Sequence, residues 1–267
     1  MLKKNTRPKL RCTNHRKRIL EISQKVKALH IGGSFSSVEI LDTLFFEIMN
    51  KKDKFILSKG HCGILLYVIL EAQKKLSKRQ VNKYCMKNSE LGVHPEITTR
   101  GVEASTGSLG HGIGIAAGLC LSRINKKKNN ENIFVLMSDG ELMEGSVWES
   151  VLFIAAKSIN NLVVIVDNNN LQSATSNIDT HPNLMPIIKK FKAFGWECDV
   201  CDGHDSNDIK KKILKRNKSK PYALIAKTIK GNPVSFMKNV PIWHYRSPNK
   251  TELKKALNEI KNYEKRL

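Results

Sequence analysis

The stretch FVLMSDGELMEGSVWES, residues 134–150, runs from an apolar segment straight into Ser, Asp and Gly. Nearly continuous apolar segments are typical of strands that are covered on both faces of a parallel sheet. A second such segment, NLVVIVDN at residues 161–168, follows after a stretch long enough for one helix. The two segments therefore predict neighbouring buried strands whose carboxyl ends carry polar side chains.

Strand and helix patterns alternate along the rest of the chain, which predicts an α/β fold with a mostly parallel sheet. We predict strands at residues 132–139, 161–168, 196–203 and 222–229. We predict helices at residues 14–29, 36–49, 62–74, 109–124, 145–159, 206–215 and 251–265. Ser36 or Ser37 is expected to cap the second of these helices. Because no repeat or linker interrupts the pattern, we expect one domain at residues 14–267 after a basic extension at residues 1–13.

Composition limits the classes of protein to which the chain can belong. Its 267 residues are 40% hydrophobic, which is enough to bury a sizeable core. No apolar run reaches the ~18 residues that a membrane span requires, and no apolar segment follows the basic amino terminus as a secretory signal would. We therefore expect a globular cytoplasmic protein with no membrane partner.

The positive charge of the chain raises the question of nucleic-acid binding. The sequence holds 46 Lys and Arg against 24 Asp and Glu, a net charge of +22. The basic residues lie in polar spacers such as RINKKKNNEN, residues 123–132, without aromatic residues that could stack on bases. We expect no specific nucleic-acid partner.

The six cysteines are scattered through the chain, as is typical of reduced thiols rather than of a disulfide framework. Cys198 and Cys201 form the one close pair, and a structural zinc site takes four ligands, so this pair alone does not predict a zinc site.

Polar residues follow both of the first two predicted strands. Asp139 ends one strand, and Asn169 lies thirty positions later in the Asn run that ends the next. Because parallel strands end at the same edge of a sheet, we expect these two side chains to converge. Carboxylate, amide and carbonyl oxygens are ligands that Mg²⁺ or Ca²⁺ takes while bridging a diphosphate. The alternative is that Asp139 and Gly140 only form a turn and cap the next helix, and the residues alone leave both interpretations open.

Five separated motifs occur in the order found in one enzyme family. They are LHIGGSFSSVEIL, DKFILSKGHCGILLY, HPEITTRGVEASTGSLGHGIGIAAGLCLS, SDGELMEGSVWES followed by DNNNLQS, and KTIKGNPVSFMKNVPIWHYRSP. From residue 14 to residue 249 the chain resembles the amino-terminal, diphosphate-binding module of transketolase. The resemblance implies the thiamine diphosphate-binding fold, a three-layer α/β/α arrangement with a mostly parallel sheet.

The resemblance also implies roles for individual residues. Asp139 and Asn169, with the carbonyl of Leu171, would hold the divalent cation, Mg²⁺ or alternatively Ca²⁺ or Mn²⁺, that clamps the cofactor diphosphate. The implied cofactor-binding residues are His61, Gly107, Ser108, Leu109, Gly110, Ser138, Asp139, Gly140, Glu144, Asn169 and His244. The implied catalytic residues are His30, His94 and His244, because imidazole can move protons on sugar hydroxyls near neutral pH. Glu144 and Glu149 match acids that lie toward the subunit interface in the family.

Several residues depart from the family pattern. Leu29, Val93 and Tyr245 are bulky residues where glycine is common, and each adjoins an active-site histidine. They predict either a narrower or altered substrate pocket or a sequence of reduced activity. Ser138 replaces the first glycine of the cofactor motif, and its backbone N–H would still serve a phosphate unless the turn requires a positive φ.

The implied activity is the transfer of a two-carbon ketol group from a ketose phosphate to an aldose phosphate with thiamine diphosphate. In the family, the glutamate that activates the cofactor comes from the pyrimidine-binding module, and nothing after Asn249 in this sequence resembles that module. We therefore expect the chain to be inactive alone and to form an α2β2 complex with a separate carboxyl-terminal subunit. Two alternatives stay open: an α-type subunit of a 2-oxoacid dehydrogenase, and a non-catalytic protein built on a decayed module.

Overall fold

The computed structural model of the chain describes residues 7–26, 29–127, 131–173 and 175–265. The strands β1 to β7 are Lys54–Leu57, Ile133–Ser138, Leu162–Asn168, Leu171–Gln172, Thr175–Ser176, Glu197–Asp202 and Tyr222–Lys227. The helices α1 to α11 are Pro8–Ser23, Ile31–Ser36, Val38–Thr43, Gly63–Ala72, Lys78–Val81, Gly112–Asn125, Gly145–Ala156, Asn177–Thr180, Ile187–Ala193, Ser206–Lys215 and Lys250–Lys265. Within the described residues, no helix has both the length and the apolar character needed to cross a membrane.

Five strands form one sheet in the order β1-β2-β3-β7-β6, and every neighbouring pair is parallel. Ser138 at the end of β2 pairs with Asp167 of β3, so the polar ends of these two strands lie side by side. The four predicted strands are confirmed to within two residues at each end. The edge strand β1 was not predicted, because its four residues are too few to show a strand period.

Alternate residues of the central strands point into two hydrophobic cores, one on each face of the sheet. Phe134 and Leu136 lie in the core that α1, α3, α4, α10 and α11 cover. Val135 and Met137 lie in the core that α6, α7 and α9 cover. The three-layer α/β/α fold is therefore confirmed.

The same alternation separates the two cysteines of the CxxC pair. Cys198 belongs to one core and Cys201 to the other, and both are buried free thiols. Two side chains on opposite faces of a strand cannot ligate one metal ion, so no zinc site forms at this pair.

The first helix begins earlier than the sequence predicted. α1 starts at Pro8 and ends at Ser23, whereas the prediction ran over residues 14–29, of which 27 and 28 lie outside the described residues. Arg11 is buried, and its guanidinium donates to Asp42 Oδ2 at 2.9 Å. The division drawn at residue 13 between extension and domain thus falls inside a helix, and residues 1–6 of the extension lie outside the described part.

The helix predicted for residues 36–49 is confirmed over residues 38–48, where α3 runs directly into a π-helical segment, Leu44–Ile48. A separate short helix, α2, precedes it and meets α3 at Ser37. Ser37 holds the predicted cap position, but the predicted side-chain cap is wrong, because Ser37 makes no side-chain capping bond. The hydroxyls of Ser36 and Ser37 donate instead to Asp167 Oδ2 of β3, at 2.6 and 2.9 Å. Both hydroxyls also lie within hydrogen-bond distance of the carbonyl of Gly33, at 2.9 and 3.2 Å, so they link α2 to the buried carboxylate on the sheet rather than capping α3.

Candidate active site

The carboxyl ends of the central strands adjoin a cavity of about 290 Å³. Asp139 lies directly after β2, is fully buried, and reaches across to the loop that follows β3. Its Oδ1 accepts the N–H of Gly140 at 2.9 Å, and its Oδ2 accepts the N–H of Asn170 at 2.6 Å and Nδ2 of Asn168 at 3.0 Å. Asp139 and the Asn run thus meet at one point, as the strand order requires.

The cavity brings together most of the residues that the sequence singled out. The predicted residues that line it are His61, Gly107, Leu109, Ser138, Gly140, Glu144, Asn169, Leu171 and His244. Asp139 lies buried next to this lining, and Gly110 is buried behind it with its N–H donated to Glu141 Oε1 at 2.9 Å. Ser108 is exposed and is not part of the lining.

Three histidine rings cluster beside the cavity. The ring centroid of His30 lies 5.3 Å from that of His61 and 5.1 Å from that of His244, and the His61 and His244 centroids are 5.7 Å apart. Tyr245 packs edge-on against His30 with centroids 4.9 Å apart. His94 stands apart from this cluster: it is exposed and packs against Gly107, where an added Cβ would lie 3.0 Å from the ring.

The clustered histidines are neutral near pH 7. Burial lowers the pKa of His30 to about 4, and the neighbouring His94, Lys230 and Lys59 add to the effect. Burial and the charge of Lys230 lower the pKa of His244 to about 3, and burial also lowers the pKa of His61 well below its ordinary value. Neutral imidazoles can each accept and donate one proton, which suits proton transfer to sugar oxygens.

Two buried lysines that the sequence did not single out line the same cavity. Lys59 donates to Asp167, to the carbonyl of Gly33 at 3.2 Å and to Ser37 Oγ at 3.0 Å. Lys230 donates to the carbonyl of Ser173 at 3.2 Å and contacts Nδ1 of His244 at 3.0 Å. Both lie in family motifs, SKGH and KTIKGNP, but no feature of the sequence distinguishes a buried lysine from the other basic residues, 46 in all.

The charge on Lys230 determines where His244 holds its proton. Burial and the charge of Lys59 lower the pKa of Lys230 to about 8, so Lys230 is an ammonium below that pH. An ammonium can only donate, so Nδ1 of His244 must accept, and the proton of the neutral ring lies on Nε2.

Glu141 is a second residue that sequence reasoning missed. It is fully buried and accepts the hydroxyl of Ser58 and the N–H of Gly110 on Oε1, and the N–H of Ser138 on Oε2 at 3.2 Å. Burial raises the pKa of Glu141, and the hydrogen bond from Ser58 opposes the shift. The carboxylate therefore ties the GSLG loop, residues 107–110, to the end of β2.

The backbone explains the residue types found at two positions of the cofactor motif, Ser138 and Gly140. Ser138 is the last residue of extended β2, so the chain does not require glycine there. Its N–H is engaged by Glu141 rather than free for a phosphate, which differs from our expectation. At Gly140 an added Cβ would lie 2.8 Å from Cβ of Gln172, so the close approach of the chain excludes any side chain.

The residues present fit a divalent cation with a diphosphate. Among the described residues, no three His, Cys, Asp or Glu side chains meet as a metal site, so a cation here would rely on the expected set of one carboxylate, one amide and one carbonyl oxygen. Burial raises the pKa of Asp139, and a bound cation would favour its ionised form. Lys230 adds positive charge for a diphosphate, whereas the charge of Lys59 is already paired with Asp167. The buried Nδ1 of His30 has no hydrogen-bond partner within the described chain.

Comparison with known proteins identifies the family. A family model described as the thiamine diphosphate-binding domain of transketolase matches residues 13–259. The chain belongs to the transketolase family.

Relatives of similar length occur within the transketolase family. One named subunit of the apulose-4-phosphate transketolase of Phocaeicola vulgatus is 34% identical over 262 residues, covering 94% of this chain and 92% of the relative. The subunit of the same name in Actinobacillus succinogenes is 36% identical over 244 residues, covering 87% and 88%. The crystal structure of Campylobacter jejuni transketolase superposes with a TM-score of 0.87 at 26% identity, covering 96% of this chain and 43% of that chain.

These matches confirm the transketolase resemblance inferred from the motifs, and they confirm the fold. The matched domain binds thiamine diphosphate, so the cofactor class agrees with the expectation. The comparisons favour transketolase over the alternative of a 2-oxoacid dehydrogenase chain.

Proposed function

We propose that this chain is the amino-terminal, thiamine diphosphate-binding subunit of a two-chain transketolase. In an α2β2 assembly with a separate carboxyl-terminal subunit, it would transfer a two-carbon ketol group from a ketose phosphate to an aldose phosphate. The observation that carries the proposal is the meeting of Asp139, the Asn run and a neutral histidine cluster at one cavity. The two relatives named as single subunits of a transketolase, which match this chain over most of both lengths, support a two-chain enzyme.

The polar residues at the strand ends would hold the cofactor. Asp139, Asn169 and the carbonyl of Leu171 would bind the divalent cation, with Mg²⁺ as the proposed ion. Lys230 and His61 line the cavity beside these ligands and offer hydrogen-bond donors to a diphosphate. When bound, thiamine diphosphate supplies a thiazolium ring that takes up the electron pair released as a carbon–carbon bond beside a carbonyl breaks.

The histidines would handle the protons of the sugar substrates. The buried Nδ1 of His30 has no hydrogen-bond partner among the described residues, so a substrate hydroxyl that reached this nitrogen would satisfy it by donating. His244 presents a proton on Nε2 because Lys230 engages its Nδ1, so this ring is set to donate. His94 is exposed and therefore reachable by a sugar entering from solvent.

The metal role can be tested by calorimetric titration of the full chain with thiamine diphosphate, with and without Mg²⁺. Asp139→Ala should lower the Mg²⁺-dependent affinity by on the order of 100-fold, since loss of a metal ligand costs at least as much as loss of the groups that orient ligands. Asp199→Ala removes a half-exposed carboxylate of the same sheet and should leave the affinity unchanged. Equal binding by wild type and Asp139→Ala would contradict the proposed metal site.

The partner requirement is tested separately by assaying ketol transfer. The purified chain with thiamine diphosphate and Mg²⁺ should show no turnover, and turnover should appear when a carboxyl-terminal transketolase subunit is added. Full turnover by the chain alone would contradict the two-chain proposal. Cofactor binding without turnover in any combination would favour the decayed, non-catalytic module.

A further inference from the structure

A buried ionic group lies behind the active site, on elements that contribute nothing to the cavity lining. Arg16 of α1 and Glu39 of α3 form a two-pronged pair, with guanidinium-to-carboxylate distances of 2.6 and 2.7 Å. His204, in the loop after β6, places Nδ1 3.2 Å from Glu39 Oε2. Arg16 is 1% exposed and Glu39 is 5% exposed, so this ion pair is buried, and the side chain of His204, 13% exposed, lies at its outer edge.

Both ends of this group attach to the same short loop, residues 229–232, which follows β7. The N–H of Ile229 donates to Nε2 of His204 at 2.9 Å. Nε of Arg16 donates to the carbonyl of Asn232 at 3.0 Å. Lys230 lies between these two attachment points, and it is the residue that contacts His244 in the cavity.

The hydrogen bonds determine the protonation of His204. A backbone N–H can only donate, so Nε2 of His204 must accept, and the carboxylate of Glu39 requires the proton on Nδ1. Burial by itself raises the pKa of Glu39, but the charge of Arg16 outweighs it and lowers the pKa to about 2. Glu39 is therefore ionised, and the neutral Nδ1–H form of His204 satisfies both neighbours at once.

We propose that Arg16, Glu39 and His204 act together as a positioning device that holds residues 229–232 so that Lys230 keeps its hydrogen bond to His244. His204 acts through the backbone of Ile229 and is not itself one of the residues that line the cavity. The consequence at the active site is a single tautomer of His244, with the proton on Nε2. A catalytic benefit from this arrangement depends on the proposed transketolase function, whereas the hydrogen bond between Lys230 and His244 does not.

The chain offers a matched control for His204. His15 is also buried and also bonds a buried carboxylate, with Nε2 3.0 Å from Asp42 Oδ1. It lies on α1 beside Arg16 but has no hydrogen bond to residues 229–232. His204→Leu and His15→Leu therefore each remove one buried histidine–carboxylate contact, and only the first removes the acceptor of the Ile229 N–H.

The test is made on the full chain without cofactor, by nuclear magnetic resonance. In His204→Leu, the Ile229 amide should exchange with solvent about tenfold faster, the effect expected when one hydrogen bond is lost. The imidazole nitrogens of His244 should change from one tautomer to a mixture. His15→Leu should change neither signal, and His204→Gln, which keeps one donor and one acceptor, should restore most of both.

Identical Ile229 exchange and identical His244 signals in His204→Leu and His15→Leu would overturn the proposal. If His204→Leu does not fold, Arg16→Lys provides the second test, because lysine keeps the charge but cannot pair with both Glu39 oxygens and also reach the carbonyl of Asn232. A His244 tautomer mixture in Arg16→Lys supports the proposal, and an unchanged single tautomer contradicts it. Failure of the wild type to bind thiamine diphosphate would count against the proposed function and leave these signals unaffected.

Discussion

Replacing Asp167 by Asn should be among the most destabilising single changes in this protein. Asp167 is fully buried at the end of β3 and accepts hydrogen bonds from Lys59, Ser36, Ser37 and Thr228. Burial by itself raises the pKa of Asp167, but the charge of Lys59 outweighs it and lowers the pKa. The Asp167→Asn side chain has nearly the same shape but no charge, so it leaves the Lys59 ammonium buried without a counter-ion.

The size of the effect follows from this burial. Removing one partner of a buried ion pair costs about 3–5 kcal/mol, because the remaining charge is neither paired nor hydrated. A domain of this size loses about 2–4 °C in Tm per kcal/mol, so the melting temperature should fall by roughly 6–20 °C. Asp199→Asn is the matched control: Asp199 lies in the same sheet and pairs with Lys212, but its side chain is 37% exposed. The control should cost at most about 1 kcal/mol.

Urea unfolding followed by circular dichroism measures both free energies, and the midpoint shift at constant slope is the quantity to compare. Lys59→Met combined with Asp167→Asn should recover part of the loss, since removing both charges abolishes the unpaired ammonium. The reasoning is refuted if Asp167→Asn is no more destabilising than Asp199→Asn, or if the double variant is as unstable as the sum of the two single variants.

Three further predictions concern other buried polar residues. Stability should fall in acid as Glu39 is protonated, because the pKa of Glu39 is about 2 in the folded chain against 4.5 in the unfolded chain. The contribution of Glu39 to the free energy of unfolding, roughly 3 kcal/mol, is complete above about pH 4.5 and is lost toward pH 2. Unfolding titrations at several pH values measure this loss. Glu141→Gln should lower the free energy of unfolding in urea by about 1–3 kcal/mol. Its amide –NH₂, itself a donor, must face either the N–H of Ser138 or the Ser58 and Gly110 donors. A change below about 0.5 kcal/mol would contradict this prediction. Ser138→Gly, which introduces the family glycine, should lower the free energy of unfolding by about 1–2 kcal/mol. Glycine weakens an extended strand, and the hydrogen bond from the Glu141 N–H to Ser138 Oγ, 3.3 Å long, is lost. The same variant should not raise thiamine diphosphate affinity in calorimetry, and a clear gain in affinity would show that the serine impairs the site.

The central strands were predictable because their signal is local. A strand covered on both faces must be apolar at nearly every position, and β2 and β3 show this in the sequence itself. The expected meeting of Asp139 with residues 168–170 also follows from local facts, since parallel neighbouring strands end at one edge. The motif order then identified the family.

The residues that the sequence did not reveal owe their roles to distant partners. Lys59 and Lys230 look like any other lysine in a chain with a net charge of +22, and only burial beside the cavity distinguishes them. Ser36 and Ser37 look like helix caps, but Asp167, 130 or more positions away, takes their hydroxyls.

By itself, the sequence determined the α/β class, the central strands, the family and the residues at the strand ends, because each depends on neighbours in the chain or on a motif. Only the tertiary structure decided which charges are buried, which hydroxyls and histidine nitrogens pair, and that Arg16, Glu39 and His204 hold the loop carrying Lys230. The physical reason is that burial and hydrogen-bond partnership are properties of the packed chain. In this protein, packing shifts the pKa of a polar side chain by removing water from it and by bringing charged groups and hydrogen-bond partners within reach.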